Sequence, residues 1–103
     1  MDLISTGLSG LKAASQSIAV TAHNVANGNT PDFKAKRLDF EDVAQGGVRP
    51  AALRESQEAA EGSNVDLTGE FTNLLVQSGA YRANLKVLQT ADEILGSTLD
   101  LKA

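Results

Sequence analysis

The sequence predicts a mainly α protein. Two long amphipathic helices, N- and C-terminal, pack as an antiparallel helical hairpin or coiled coil, with a short irregular or weakly β middle segment. Three observations carry this expectation. Ile4, Leu8, Leu11, Ser15, Ile18, Ala22 and Val25 step by alternating fours and threes, a heptad-like seam. Leu67, Phe71, Leu74, Ser78, Tyr81, Leu85, Leu88, Asp92, Leu95 and Leu99 repeat that rhythm near the other end. Aromatic residues are only 4% of the chain, with no Trp. Large aromatics dominate many cores, so this one is built from Leu, Ile, Val and Ala, which suits helix-on-helix packing. The 103 residues make one structural domain in three parts: 1–31, the first helix and an Asn-rich turn; 32–65, the middle; and 66–103, the second helix.

Opposite its bulky seam the first helix carries Thr6, Gly10, Ala13, Ser17, Val20 and Asn24, which are mostly small. Gly7 and Gly10 each cost up to about 1 kcal/mol against Ala in a helix interior, so close approach is the expected return. The helix stops in HNVANGNTPDF, His23 to Phe33. Asn27-Gly28 tolerates the positive φ common at a helix C-terminus. Pro31 then forces the residue before it out of helical geometry.

In the middle, Lys36, Leu38 and Phe40 alternate weakly as one short strand. AQGGVRP reads as a loop by its Gly pair and Pro, and AALRESQEAAEG as a short exposed helix or irregular chain. The middle is expected to be mobile in an isolated subunit.

Asp66 is a suitable N-cap for the second helix, with Glu70 in its first turns where the helix dipole favours negative charge. Nearly opposite its seam lies a second stripe: Val76, Ala80, Ala83, Val87, Thr90, Ile94, Thr98 and Leu101. An ordinary surface helix has one apolar stripe and a polar back. One partner helix cannot cover both, so association with further subunits is expected. A core helix in a compact bundle would account for the same periodicity.

Net charge is −4, from 13 acidic and 9 basic side chains. Lys34, Lys36 and Arg37 run directly into Asp39, Glu41 and Asp42, a solvated mixed-charge segment and not a nucleic-acid footprint. The chain has no Cys, which removes disulfides, thiolate chemistry and Cys-based zinc sites. No apolar run approaches the roughly 18 residues of a membrane span. Met1-Asp2-Leu3 opens neither a positive nor an apolar signal-peptide region.

Catalysis needs convergent groups, and none is marked. His23 is the single His and reads as structural or solvated. Asp92 falls on the main seam, and is expected to be exposed or paired with a cation such as Lys12 or Lys86. STGLSGLKA lacks the phosphate-loop pattern of four residues between glycines and then Gly-Lys-Ser/Thr. No His/Asp/Glu cluster has metal-ligand spacing, so no enzyme activity, cofactor, metal or small-molecule substrate is expected. The amides are different. Asn24, Asn27, Asn29, Asn64, Asn73 and Asn84 lie near or along the helices. Some are exposed or capping, but an Asn within helix packing can fix register. Asn24 and Asn84 are assigned that role, and Asn27 the shaping of the turn.

Ser9 to Arg37, SGLKAASQSIAVTAHNVANGNTPDFKAKR, resembles the N-terminal signature of the bacterial flagellar rod and hook proteins. Ser63 to Leu101, SNVDLTGEFTNLLVQSGAYRANLKVLQTADEILGSTLDL, resembles their C-terminal segment. By position Asn24, Ala26, Asn27, Thr30, Pro31 and Phe33 match the first motif. Asn64, Val65, Asp66, Leu67, Glu70, Tyr81, Ala83, Asn84 and Asp92 match the second. The resemblance implies a self-assembling axial subunit that partners itself and other rod or hook proteins. It implies an oligomer in the basal body that transmits torque through a coiled-coil layer. It implies export through the flagellar type III apparatus without a cleaved signal.

Three features depart from the family pattern. His23 stands where a second Asn is usual. Asp32 stands where Gly is usual, and accepts positive φ less readily, so a different turn is expected. The middle has no room for the large β domains of hook and distal rod proteins, so by size the chain is proximal-rod-like, whereas its NVDLTGEFTNLL stretch is more similar to a distal rod or hook protein.

The expected assembly residues are Leu8, Leu11, Ile18, Asn24, Asn27, Leu74, Tyr81, Asn84, Leu85, Leu88 and Leu95 on the seams and turn, and Val76, Val87 and Ile94 on the second stripe. The alternative is a soluble helical binding module, a chaperone or regulator that mimics the ends of axial proteins. A small enzyme using His23 is a third class, which a loss of activity in His23→Ala would revive. Such helices draw most of their stability from packing. Helicity measured by circular dichroism is therefore expected to fall on dilution and rise as subunits associate. A dilute sample that sediments as a monomer and stays strongly helical would show both stripes covered within one chain.

Overall fold

The computed structural model describes residues 3–58 and 62–102, with side chains described for 3–58 and 62–99. The order is α1 (Leu3–Ala26), β1 (Lys36–Asp42), β2 (Val48–Glu55) and α2 (Leu67–Lys102). The two helices run antiparallel, as the contacts show: Gly7 faces Leu88, Gly10 faces Asn84, and Gly28 faces Leu67. At 1.5 Å per residue, α1 is about 36 Å long and α2 about 54 Å, so α2 projects well past the start of α1. The molecule measures 66 × 25 × 14 Å, with a radius of gyration of 17.8 Å. A compact chain of this length would have about 13 Å.

The helix contact is centred beside the bulky seams and not on them, with Leu88 of the α2 seam reaching Gly7 at its edge. In α1 the buried residues are Gly7, Ala14, Thr21 and Asn24, beside the seam and towards the small back. In α2 the inward line is Glu70, Gln77, Asn84 and Ala91; Glu70 bonds Asn24, Asn84 lies on Gly10, and Ala91 is buried. At 100° per residue this line runs between the two apolar stripes of α2. Both stripes therefore become shoulders of the contact. Leu74 and Leu88 on one shoulder, and Ala80 on the other, are half-buried. Phe71, Val76, Val87, Ile94, Leu95 and Leu99 remain exposed. Among described residues only Ala14 and Ala91 are fully buried apolar side chains. Exposed apolar residues thus remain on both stripes, in keeping with the reading that one partner helix cannot cover both.

Glycine sets the closeness of approach. A Cβ at Gly10 would lie 2.5 Å from Asn84 Oδ1, and one at Gly7 3.1 Å from Leu88 Cδ2. Asn84 donates from Nδ2 to the Ala80 carbonyl at 3.0 Å, which holds its amide over the gap.

The middle is a two-stranded antiparallel hairpin, more ordered than the sequence reading allowed. Residues assigned to a loop (Val48 to Pro50) and to helix or irregular chain (Ala51 to Glu55) form β2. The part of that stretch at 59–61 lies outside the described residues. The cause is the Val43–Gly47 turn. Gly46 and Gly47 take φ of 101° and 90°, and Val43 N–H donates to the Gly47 carbonyl at 2.9 Å. This reverses the chain and sets Lys36 opposite Glu55. Pro50 is accommodated next to a bulge: Asp39 pairs with Ala52 and Phe40 with Pro50, leaving Ala51 extra. Ion pairs Arg49–Glu41 and Arg54–Asp39 cross the strands.

Two local expectations are corrected at the end of α1. Gly28 does not take positive φ. The helix instead tightens, with Gly28 N–H donating to the Val25 carbonyl at 3.1 Å and Thr30 N–H to Asn27 at 3.0 Å. Gly28 serves close approach, since a Cβ there would be 3.2 Å from Leu67 Cδ2. The left-handed residue is Asp32, with φ of 60°. It adopts the conformation a glycine would take, and its N–H donates to the Gly62 carbonyl at 3.1 Å. Asp66 stands immediately before α2, in the N-cap position, with Oδ2 3.0 Å from where a Gly69 Cβ would lie.

Two glycine substitutions separate helix propensity from packing. Nothing lies within 4 Å of a Cβ at Gly79, so Gly79→Ala is expected to stabilise by about 0.5–1 kcal/mol. Gly10→Leu is expected to destabilise by about 1–3 kcal/mol through overpacking on Asn84. Urea unfolding followed by circular dichroism, at a concentration where subunits associate, checks both.

Candidate functional site

The site has two components: a polar clamp that shapes the subunit, and the apolar shoulders it presents. The clamp centres on Asn24, 1% exposed and the largest fully buried side chain described. Its Oδ1 accepts from Lys36 N–H at 2.8 Å, and its Nδ2 donates to the Lys36 carbonyl at 2.7 Å. The amide pairs with the Lys36 backbone as a neighbouring strand would. Nδ2 also donates to Glu70 Oε1 at 3.2 Å. One side chain thus joins the end of α1, the start of β1 and the first turn of α2. Position 24 on the inward face of α1 is what makes this reach available.

Asn64 holds the same base of the hairpin from its other side. Its Oδ1 accepts from Ala35 N–H at 2.6 Å, and its Nδ2 donates to the Glu58 carbonyl at 2.8 Å. Its own N–H donates to the Phe33 carbonyl at 3.1 Å. A third tie comes from Ser9, whose Oγ accepts from Val48 N–H at 3.1 Å and donates to the Thr6 carbonyl at 2.8 Å. Among described side chains, no buried nitrogen or oxygen atom lacks a partner, as buried polar groups require. Asn27 shapes the turn: its Nδ2 donates to the His23 carbonyl at 2.9 Å, and its Oδ1 accepts from Thr30 Oγ1 at 3.0 Å. The His23 ring packs edge-on against Phe33, centroids 5.5 Å apart.

The expected assembly residues divide into two groups. Asn24, Asn84 and Leu88 meet at the contact between the helices, with Leu11, Ile18 and Leu74 half-buried along its edges. Leu8, Tyr81, Leu85, Leu95, Val76, Val87 and Ile94 are exposed. The sequence reading expected close approach at Gly7 and Gly10, and missed Ser9, Ala14, Thr21 and Gln77. The seven-residue spacing of 7, 14 and 21 was the available signal, but small residues carry none of the apolar weight that a seam search follows. Leu75, 75% exposed, was on neither stripe and is the most exposed large apolar side chain described.

Exposed apolar residues scattered singly are ordinary. Contiguous rows of them on both sides of a two-helix contact mark an interaction surface. The geometry defines a slender helical chain, with large apolar side chains exposed on both sides of its helix contact.

Comparison with known proteins gives that class a family. Residues 4–34 match the flagella basal body rod protein family, and residues 56–101 match the flagellar basal body rod FlgEFG protein C-terminal family. The chain belongs to the flagellar basal-body rod protein family. It is 33% identical to the flagellar basal-body rod protein FlgC of Yersinia enterocolitica, over 90% of each chain. The aligned length, 121 positions, exceeds the present chain, so that relative carries residues with no counterpart here. Over 42 residues, 41% of this chain, it is 48% identical to the rod protein FlgG of Bacillus subtilis and to the hook protein FlgE of Helicobacter pylori. Those matches cover 16% and 6% of the respective relatives.

Asn24→Ala removes the partners of two part-buried backbone groups at Lys36. The expected cost is about 1–3 kcal/mol for each group left unmade, and so about 2–6 kcal/mol together, with the lower end expected for part-buried groups. Asn24→Asp is expected to be no better, because a carboxylate cannot donate to the Lys36 carbonyl and sits beside Glu70. Urea unfolding gives the stability change, and amide exchange at Lys36 reports whether the clamp has opened.

Proposed function

We propose that this chain is a structural subunit of the flagellar basal-body rod, assembling with copies of itself and with other axial proteins. One observation carries the reading. The helices touch through Gly7, Gly10, Ala14, Asn84 and Ala91, while Leu75, Val76, Phe71, Ile94, Leu95 and Leu99 face outward. Burying a Leu, Val or Phe side chain is worth roughly 1.5–3 kcal/mol each. The subunit leaves that free energy to be gained when neighbours close on both shoulders. The role is mechanical: torque passes through helix–helix contacts, with no turnover.

The match to the FlgC rod proteins over nearly the whole chain, with a middle too small for a large β domain, supports a proximal-rod type of subunit. The N-terminal, middle and C-terminal parts serve as packing helix, lateral hairpin and packing helix. The family resemblance supports export through the flagellar type III apparatus without a cleaved signal.

Leu75→Glu and Val76→Glu test the reading, because both side chains are exposed, at 75% and 60%. Each is expected to leave the subunit's circular dichroism unchanged. Each is also expected to remove the chain from purified hook–basal bodies and abolish swimming in soft agar. Normal swimming with both substitutions together would overturn it.

A further inference from the structure

We infer that subunits join head to tail, with the projecting end of α2 of one copy lying in the groove between α1 and β2 of the next, and with Asp92 of the first paired to Lys12 of the second. The inference rests on the reading of the chain as a rod subunit, and deepens it by naming which faces meet.

The donor element is the part of α2 beyond α1. Gly7 lies against Leu88 and Ala91 is buried, so from Asp92 onward α2 has run past the start of α1. Residues 92–102 span about 16 Å. Leu95 and Leu99 are one turn apart, 50% and 59% exposed. At 100° per residue Asp92 falls on the same face. A carboxylate on an apolar seam needs an account, and within the chain it has none: Asp92 is exposed and makes no ion pair among described residues.

The acceptor is a groove of about 390 Å³ lined by Leu8, Lys12, Ala13, Val48 and Pro50, among others. It runs along α1 from Ser5 to Gln16, again about 16 Å. Its two cations differ. Arg49 is held by Glu41 across the hairpin. Lys12, the single Lys or Arg within α1, is exposed and makes no ion pair among described residues. The groove thus offers apolar walls and one uncommitted positive charge. The projecting helix offers an apolar face with one uncommitted negative charge, over the same length. An amphipathic helix laid in such a groove is a recurring mode of recognition, and opposite charges fix its register.

The pair cannot close within one chain. Gly10 is level with Asn84, which places Lys12 near Tyr81 and about 15 Å along the helix axis from Asp92. Donor and acceptor are different surfaces, so the contact is heterologous and propagates instead of closing on a dimer.

The absence of native cysteine makes the test direct. A chain carrying Lys12→Cys and Asp92→Cys, expressed in place of the wild type, is oxidised in purified hook–basal bodies and run without reductant. The expected result is a ladder of covalent multimers of this chain, lost when either cysteine is present alone. Lys12→Asp and Asp92→Lys provide the second arm: each is expected to reduce swimming, and the two combined in one chain to restore it. Basal bodies that contain the double-cysteine chain without a ladder would overturn the inference and leave the rod reading intact. So would a product that stops at the dimer, or a cross-link to a different protein. Absence of the wild-type chain from basal bodies would overturn both.

Discussion

The buried amide of Asn24 is the contact on which the arrangement of this chain depends. Two helices touching through glycine, alanine and amide groups have little apolar area with which to fix their relative position. The hairpin packs against α1, and its second strand is largely exposed. Asn24 joins all three, because a carboxamide can accept and donate at once and so satisfies both backbone groups of Lys36. Its remaining donor reaches Glu70. The bonds are directional, so they specify register where hydrophobic burial, which is non-directional, would not.

That division of labour explains why the apolar residues can face outward. In a self-contained hairpin the bulky seams would meet, and the polar line would be wet. Here the line Glu70, Gln77, Asn84 faces α1 and the leucines flank it. The cost is a subunit with few buried apolar side chains. The consequence is two apolar shoulders that the chain itself leaves exposed. Obligate assemblies commonly have interfaces that resemble a domain core cut in half, and this chain carries such half-cores on either side of its helix contact.

The hairpin widens this slender body at one side. Its base is held twice, by Asn24 at Lys36 and by Asn64 at Ala35. Its far end is held by Ser9 at Val48. These ties set β2 alongside α1 and so create the groove that contains Lys12. A short middle segment therefore contributes one wall of a groove as well as a connection.

Both helices were legible from the four–three spacing of Ile4 to Val25 and Leu67 to Leu99, because helical periodicity follows from backbone geometry alone. The turn after Asn27 was legible from Pro31, and an apolar face left uncovered within one chain from the second stripe on α2. The hairpin was not, since VRPAALRE contains a proline and no alternation. Its pairing is imposed by the Gly46-Gly47 turn and by anchors to Ser9, Asn24 and Asn64, distant in sequence. Nor was the face of contact, because periodicity shows which residues share a side of a helix and not which side a partner takes. Asp32 adopts positive φ where glycine is usual because Gly62 accepts its N–H across the chain. The sequence by itself determined where the helices run and that their apolar surface exceeds what one hairpin can cover. Only the tertiary structure decided that the small and polar lines face inward, because the partners of Asn24 lie 12 and 46 residues away, and local propensity carries no information at that separation.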